Sequence, residues 1–127
     1  MIPAYFETRF RTEEIFEKWP DNFSIITAYA TTGQIWSDEA NISQDRKLEA
    51  DLSRLTSELR RITGYSPSSG HAEPGWAVEI NLSEAMRIGR DFRQDAIYQI
   101  RSGNLWVIGC SEPNEAFFVD RFLARLD

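Results

Sequence analysis

The only imidazole of the chain, His71, stands two residues before a carboxylate, Glu73. Histidine is the usual general base near neutral pH, and a carboxylate can orient its ring. The pair is therefore the weak candidate for hydrolase or transferase chemistry. On an extended strand two such side chains point to the same side, whereas in a turn their directions are undefined. The plainer reading is a loop histidine that packs on Trp76 or Tyr65 or hydrogen-bonds locally. No nucleophile elbow and no His-rich metal motif accompanies it.

Cys110 ends the apolar run Leu105-Trp106-Val107-Ile108. A nucleophilic thiol needs a helix N-terminus or a basic neighbour to lower its pKa, and neither is adjacent, so a buried inert thiol is expected. With one cysteine and one histidine in the chain, neither an internal disulfide nor a zinc site is expected. Arg87, Arg90 and Arg93 recur along one segment, and Arg60, Arg61 and Arg101 lie elsewhere. Guanidinium groups clamp phosphates and carboxylates, although Arg87 is also spaced to pair with Asp91. Trp19, Trp76 and Trp106 sit in apolar segments and read as core. Trp36 lies in a polar loop beside Ile35, placed to close a pocket, to anchor a partner or to tuck over a helix end. Gly33 is isolated and Ser68-Ser69-Gly70 is not followed by lysine, so there is no phosphate loop.

These residues need a scaffold, and the totals allow one. At 127 residues the chain fits a single domain, 1–127, and its 42% hydrophobic content suffices for one core. The net charge of −6 opposes phosphate backbones, so nucleic acid is not expected as a partner. The first residues lack a secretory signal, and no run approaches the roughly 20 apolar residues of a membrane span. A cytoplasmic protein without membrane contact is the expectation. The triplets at Asn22, Asn41 and Asn81 resemble glycosylation sites but read as turn and cap residues.

Periodicity gives the elements. Tyr5 to Arg11 alternates as a short strand, and Thr12 is placed to cap a brief helix carrying Ile15, Phe16 and Trp19. Phe23 to Ala30 is a central strand. Leu48, Leu52, Leu55, Leu59 and Ile62 form one helical stripe that closes at Gly64. Tyr65 to Gly75 is a loop or an irregular hairpin arm leading into Trp76 to Ile80. Ser83 caps a second helix whose Gly89 permits close approach to a sheet. Ala96 to Arg101 and Leu105 to Cys110 pair around Ser102-Gly103-Asn104. Pro113 begins a last helix carrying Phe118, Val119, Phe122, Leu123 and Leu126. The resulting expectation is an α+β, ferredoxin-like two-layer sandwich: a β-α-β-β-α-β core with an extra C-terminal hairpin strand and added terminal elements. If Tyr65 to Ala72 is not a strand, the sheet becomes more parallel.

One set of residues forms a recognisable pattern: Ile25-Ile26-Thr27-Ala28-Tyr29, then Ser37 and Asn41, then Glu73-Pro74, then Arg90-x-Phe92-x-Gln94-x-Ala96-Ile97. Over roughly residues 5 to 110 the chain resembles the DUF3293 family of small bacterial and phage proteins of unknown function. The resemblance implies Asn-Pro where Ala30-Thr31 stands, Ser where Gly75 stands and Gly where Arg93 stands. It implies no reaction and no cofactor.

It does direct attention to Thr27, Asn41, Glu73 and Gln94, which lie at element ends. Polar residues there either cap helices and tie down loops or converge on a cleft; capping is the first reading for Asn41. The leading expectation is a non-catalytic small-molecule-binding or regulatory domain, with ligand residues Thr27, Trp36, Asn41, His71, Glu73, Arg90 and Gln94. The second is a protein-interaction module, such as a phage or host-defence accessory, whose acidic surface competes for a basic partner. The third is an enzyme using His71 with Glu73. No metal and no cofactor is expected in any of them.

Overall fold

A computed structural model of the chain describes residues 3–30, 36–111 and 115–127. In order, its elements are α1 (Ala4–Glu7), β1 (Arg9–Arg11), β2 (Phe23–Thr27), α2 (Asp38–Ser53), β3 (Leu59–Tyr65), β4 (Ala72–Val78), α3 (Leu82–Asp91), β5 (Ala96–Arg101), β6 (Asn104–Gly109) and β7 (Ala116–Arg121). A short 3-10 turn follows at Phe122–Ala124. The strands form a single seven-stranded sheet in the order β1-β3-β4-β2-β5-β6-β7, and every neighbouring pair is antiparallel.

The sheet is curled into a half-barrel. Its C-terminal tail reaches back to the far edge, where the Phe10 amide donates to the Arg125 carbonyl and the Asp127 amide to the Phe10 carbonyl. A register shift in β6 between Leu105 and Trp106 adds local twist near the other edge.

Because side chains alternate across a strand, the sheet supports two cores. On one face Ile26, Val78, Ile97 and Ile108 meet Leu48 and Leu52 of α2, Ile88 of α3 and Phe92 just after it. On the other face Phe10, Phe23, Ile25, Ile62, Ile100 and Leu105 gather around Phe122, with Trp19 and Leu126 packed against them. β2 contributes to both, and four of its five residues are buried.

This arrangement overturns the ferredoxin-like two-layer sandwich. Strands and helices from β2 to β5 follow one another in the expected sequence, yet they do not make the expected architecture. β1 extends the sheet on one side and β6 and β7 extend it on the other. The concave face carries a core of its own, so the sheet lies between two packed layers. Three local misreadings contributed. The leucine stripe is not one helix: α2 ends at Ser53, Leu55 is 40% exposed, and Leu59 and Ile62 belong to β3. The segment holding Phe118 and Val119 is the edge strand β7 rather than a helix, and its expected start at Pro113 lies outside the described residues. The proposed helix after Thr12 is irregular chain, held by the Arg60 guanidinium, which donates to the Lys18 carbonyl and lies over the rings of Phe16 and Trp19.

Other elements follow from local chemistry. Ser37 caps α2 by accepting from the Ala40 amide, and Asp38 and Glu39 place negative charge on its first turn. Asn81, not Ser83, caps α3, accepting from the Glu84 amide. The hairpin from β5 to β6 turns on Ser102 and Gly103, with φ of 49° and 79°, as a tight primed turn requires. Of the strand expected over Tyr5 to Arg11, only β1 at Arg9–Arg11 is a strand, and Tyr5 to Glu7 belong to α1.

Among the described residues no helix is long and apolar enough to cross a membrane. No described group of three or more His, Cys, Asp or Glu residues is placed to hold a metal ion.

Candidate functional site

β2 is shorter than both of its neighbours, and the consequence is a recess. Its pairing with β4 ends at Thr27 opposite Gly75, and its pairing with β5 ends at Ile25 opposite Tyr98. The hairpin of β3 and β4 runs on past that point, pairing Thr63 with Pro74, Gly64 with Glu73 and Tyr65 with Ala72. Pro74 lacks an N–H and sits where β4 has already left β2, so it removes no bond from that pairing. On the other side β5 begins level with the end of β2, but its Ala96 and Ile97 are not paired with Thr27 and Ile26, so the two strands part there. Between the overhanging hairpin and the parted start of β5 the concave face opens into a cleft of about 550 Å³, within the range of small-molecule sites.

Alternation decides what lines it. Ile25 and Thr27 of β2, Glu73 of β4 and Ala96 and Tyr98 of β5 all border the cleft. α1 and β1 close one side with Tyr5, Thr8 and Phe10, and Trp36 and Asn41 approach from the start of α2.

The polar groups divide into ties and exposed groups. The Gln94 amide accepts from the Thr27 hydroxyl at 3.3 Å and donates to the carbonyls of Tyr29 at 2.8 Å and Phe92 at 3.2 Å. It thereby fixes the chain leaving β2 to the turn after α3. Asn41 accepts from the Ala30 amide at 2.9 Å, so it anchors the same segment to α2 and does not cap the helix. Tyr98 donates to the Thr8 hydroxyl at 2.8 Å, with its ring edge-on to Tyr5 and Phe10. Ser66 and Ser68 at the hairpin tip both donate to the Glu7 carboxylate, joining α1 to β3–β4 across the mouth.

Glu73 and His71 are the ionisable pair. Their side chains approach to 3.3 Å; that of His71 is 70% exposed and that of Glu73 30%. Burial raises the Glu73 pKa above the ordinary carboxylate value, with the His71 contact pulling the other way. Burial also raises the phenol pKa values of Tyr98 and Tyr29, and at Tyr29 the nearby charge of Asp45 adds to the effect. Chemically, the pair can bind or exchange a proton at the rim. The His71 ring meets the Glu73 carboxylate, and the Ser69 hydroxyl accepts from the His71 backbone amide at 3.2 Å.

Thr27, Trp36, Asn41, His71, Glu73 and Gln94 therefore border one cleft. Arg90 does not: its guanidinium donates to the Cys110 carbonyl at 2.8 Å, fastening α3 to the end of β6. Arg87 pairs with Asp91 at 3.1 Å. Cys110 is fully buried against Gly89, where an added Cβ would lie 2.5 Å from the sulfur, and burial raises its pKa to about 11. The expected loop residues Gly33 and Ile35 lie outside the described residues. Sequence reasoning missed the tyrosines of the cleft, since a tyrosine within a β-rich run looks like core. It also missed Asp45, which is 7% exposed and takes a two-pronged contact from Arg61 at 2.8 Å, with Arg61 also lying over Trp76.

A family model described as a protein of unknown function (DUF3293) matches residues 26–97. That segment runs from the last two residues of β2 to the first two of β5 and contains the whole β3–β4 hairpin that overhangs the cleft. Neither a curated protein nor a solved structure matches the chain.

Proposed function

The chain belongs to the DUF3293 family, whose description names no activity, and we propose that its cleft is a small-molecule site and the protein a non-catalytic binding or regulatory domain. The observation that supports this most is the recess itself. Where β2 ends beside the longer β3–β4 hairpin and parts from β5, about 550 Å³ of space is left, and four internal ties (Gln94, Asn41, Tyr98 and Glu7) hold its walls. Such ties preorganise a site, which lowers the ordering cost of binding. The buried free thiol of Cys110 suits a cytoplasmic setting.

The test is a thermal-shift screen over nucleotides, sugars, amino acids and amines, followed by tryptophan fluorescence. At least one chemical class should raise the melting temperature, and Ala4→Trp, which fills the mouth from α1, should abolish the shift. A screen in which no compound moves the transition, or hits untouched by Ala4→Trp, would sink the reading.

Two other readings have narrower support. Phe118 and Leu123 are 52% and 65% exposed, which suits a protein-interaction module on the β7 side. The contact of His71 with Glu73 suits a hydrolase or transferase, but that chemistry also needs a nucleophile or bound water next to the ring.

A further inference from the structure

Resting on the small-molecule reading, we infer that the ligand carries an ammonium group, seated against the Glu73 carboxylate and the rings of Tyr29, Trp36 and Tyr98. The charge inventory of the cleft points there. Among the described residues that line it, Glu73 is the one carboxylate, and no lysine or arginine is present. A phosphate or carboxylate ligand would meet that charge with only the rim histidine to offset it. A neutral ligand would cover a partly desolvated carboxylate without supplying a counter-ion, an arrangement that costs free energy. A cation satisfies it.

The walls fit the same group. Aromatic faces attract cations through their ring quadrupoles, and the attraction strengthens as water is excluded. Tyr98 is held by Thr8 at its hydroxyl and by ring contacts with Tyr5 and Phe10, so it is presented without rotational freedom. Glu73, Tyr29, Trp36 and Tyr98 all line the same cleft. One ammonium can therefore engage the carboxylate and these rings together. The net charge of −6 further favours approach of cations.

Three probes on one frame separate charge from shape: phenethylamine, 2-phenylethanol and phenylacetate, titrated calorimetrically into the full chain. The amine should bind tightest, with the alcohol about tenfold weaker and the carboxylate weaker again. Glu73→Gln should lose about tenfold for the amine and stay within about twofold for the alcohol. Trp36→Leu should weaken the amine more than the alcohol. The inference is overturned if the alcohol or carboxylate equals the amine, if Glu73→Gln binds the amine as wild type does, or if none of the three binds. The wild-type series decides even if the variant folds poorly. A neutral or anionic hit in the broader screen, blocked by Ala4→Trp, would preserve the binding site while removing the ammonium.

Discussion

Thr27 and Gln94, 67 residues apart, are joined at the floor of the cleft by a hydrogen bond from the threonine hydroxyl to the glutamine carbonyl oxygen. The same glutamine donates to Tyr29 and Phe92, so one side chain holds the exit of β2 against the entry to β5. Gln94→Ala removes all three bonds and leaves half-buried carbonyls without their donor. It should lower unfolding free energy by about 2 kcal/mol in urea titrations. Gln94→Glu keeps an acceptor for Thr27 but loses the donor, and should recover only part of that loss.

Arg93 occupies a position that glycine usually fills. Its φ is 58°, and the bonds from the Gln94 amide to the Gly89 carbonyl and from the Arg93 amide to the Arg90 carbonyl form the two-bond closure of a helix C-terminus. A side chain in that left-handed region is strained by about 1 kcal/mol relative to glycine. Arg93→Gly should therefore raise the urea midpoint by an amount equivalent to about 0.5–1 kcal/mol, with an unchanged m-value. A lower midpoint would show that the arginine makes a compensating contact.

Where the sequence was legible, the local signal and the tertiary outcome agreed. Ser102-Gly103 specifies a hairpin almost by itself, and the Gly89 stripe with its apolar neighbours specifies a helix lying on a sheet. The leucine stripe failed because spacings of three and four do not record where a helix stops. Leu48 and Leu52 are helical, but seven register pairs with β4 take Leu59 to Tyr65 into a strand. Phe118 failed for a related reason, since its pairing with Trp106 of β6 outweighs any helical periodicity. Polar residues at element ends were easier to group, because in an antiparallel sheet the ends of neighbouring strands lie side by side. Arg90 left the group because its reach to the Cys110 carbonyl depends on packing that no spacing encodes.

Cys110 links that packing to pH. Burial raises its thiol from 9.0 to about 11, partly offset by Arg90. The unfolded chain then ionises first and binds fewer protons than the folded one above pH 9. This contribution to stability is intact below pH 9 and is lost as pH rises towards 11. Tyr98, also raised by burial, acts in the same direction at higher pH. Cys110→Ala should reduce the fall in stability between pH 9 and 10 by about 1 kcal/mol, measured by urea unfolding at both values. In the wild type a thiol reagent such as DTNB should react only as fast as the protein opens; rapid native labelling would contradict the buried placement.

Gly75 offers the sharpest test of how the cleft is built. It pairs with both Thr27 and Ile62, and a Cβ added there would lie 2.6 Å from the Ile26 carbonyl oxygen and 2.7 Å from the Thr27 methyl. The methyl can rotate away, but the carbonyl belongs to the central strand and cannot move without shifting β2. Gly75→Ser, the residue that the family resemblance implies here, should cost about 2 kcal/mol in this chain through that overpacking. Because β2 ends at Thr27, the displacement should also reach the cleft floor, weakening any ligand found there more than Gly64→Ala does. At Gly64 the nearest atoms to an added Cβ are side-chain carbons at 3.3 and 3.4 Å, which can yield. If Gly75→Ser folds with unchanged stability and ligand affinity, β2 is not pinned against β4, and a strand ending at Thr27 is not what shapes the recess.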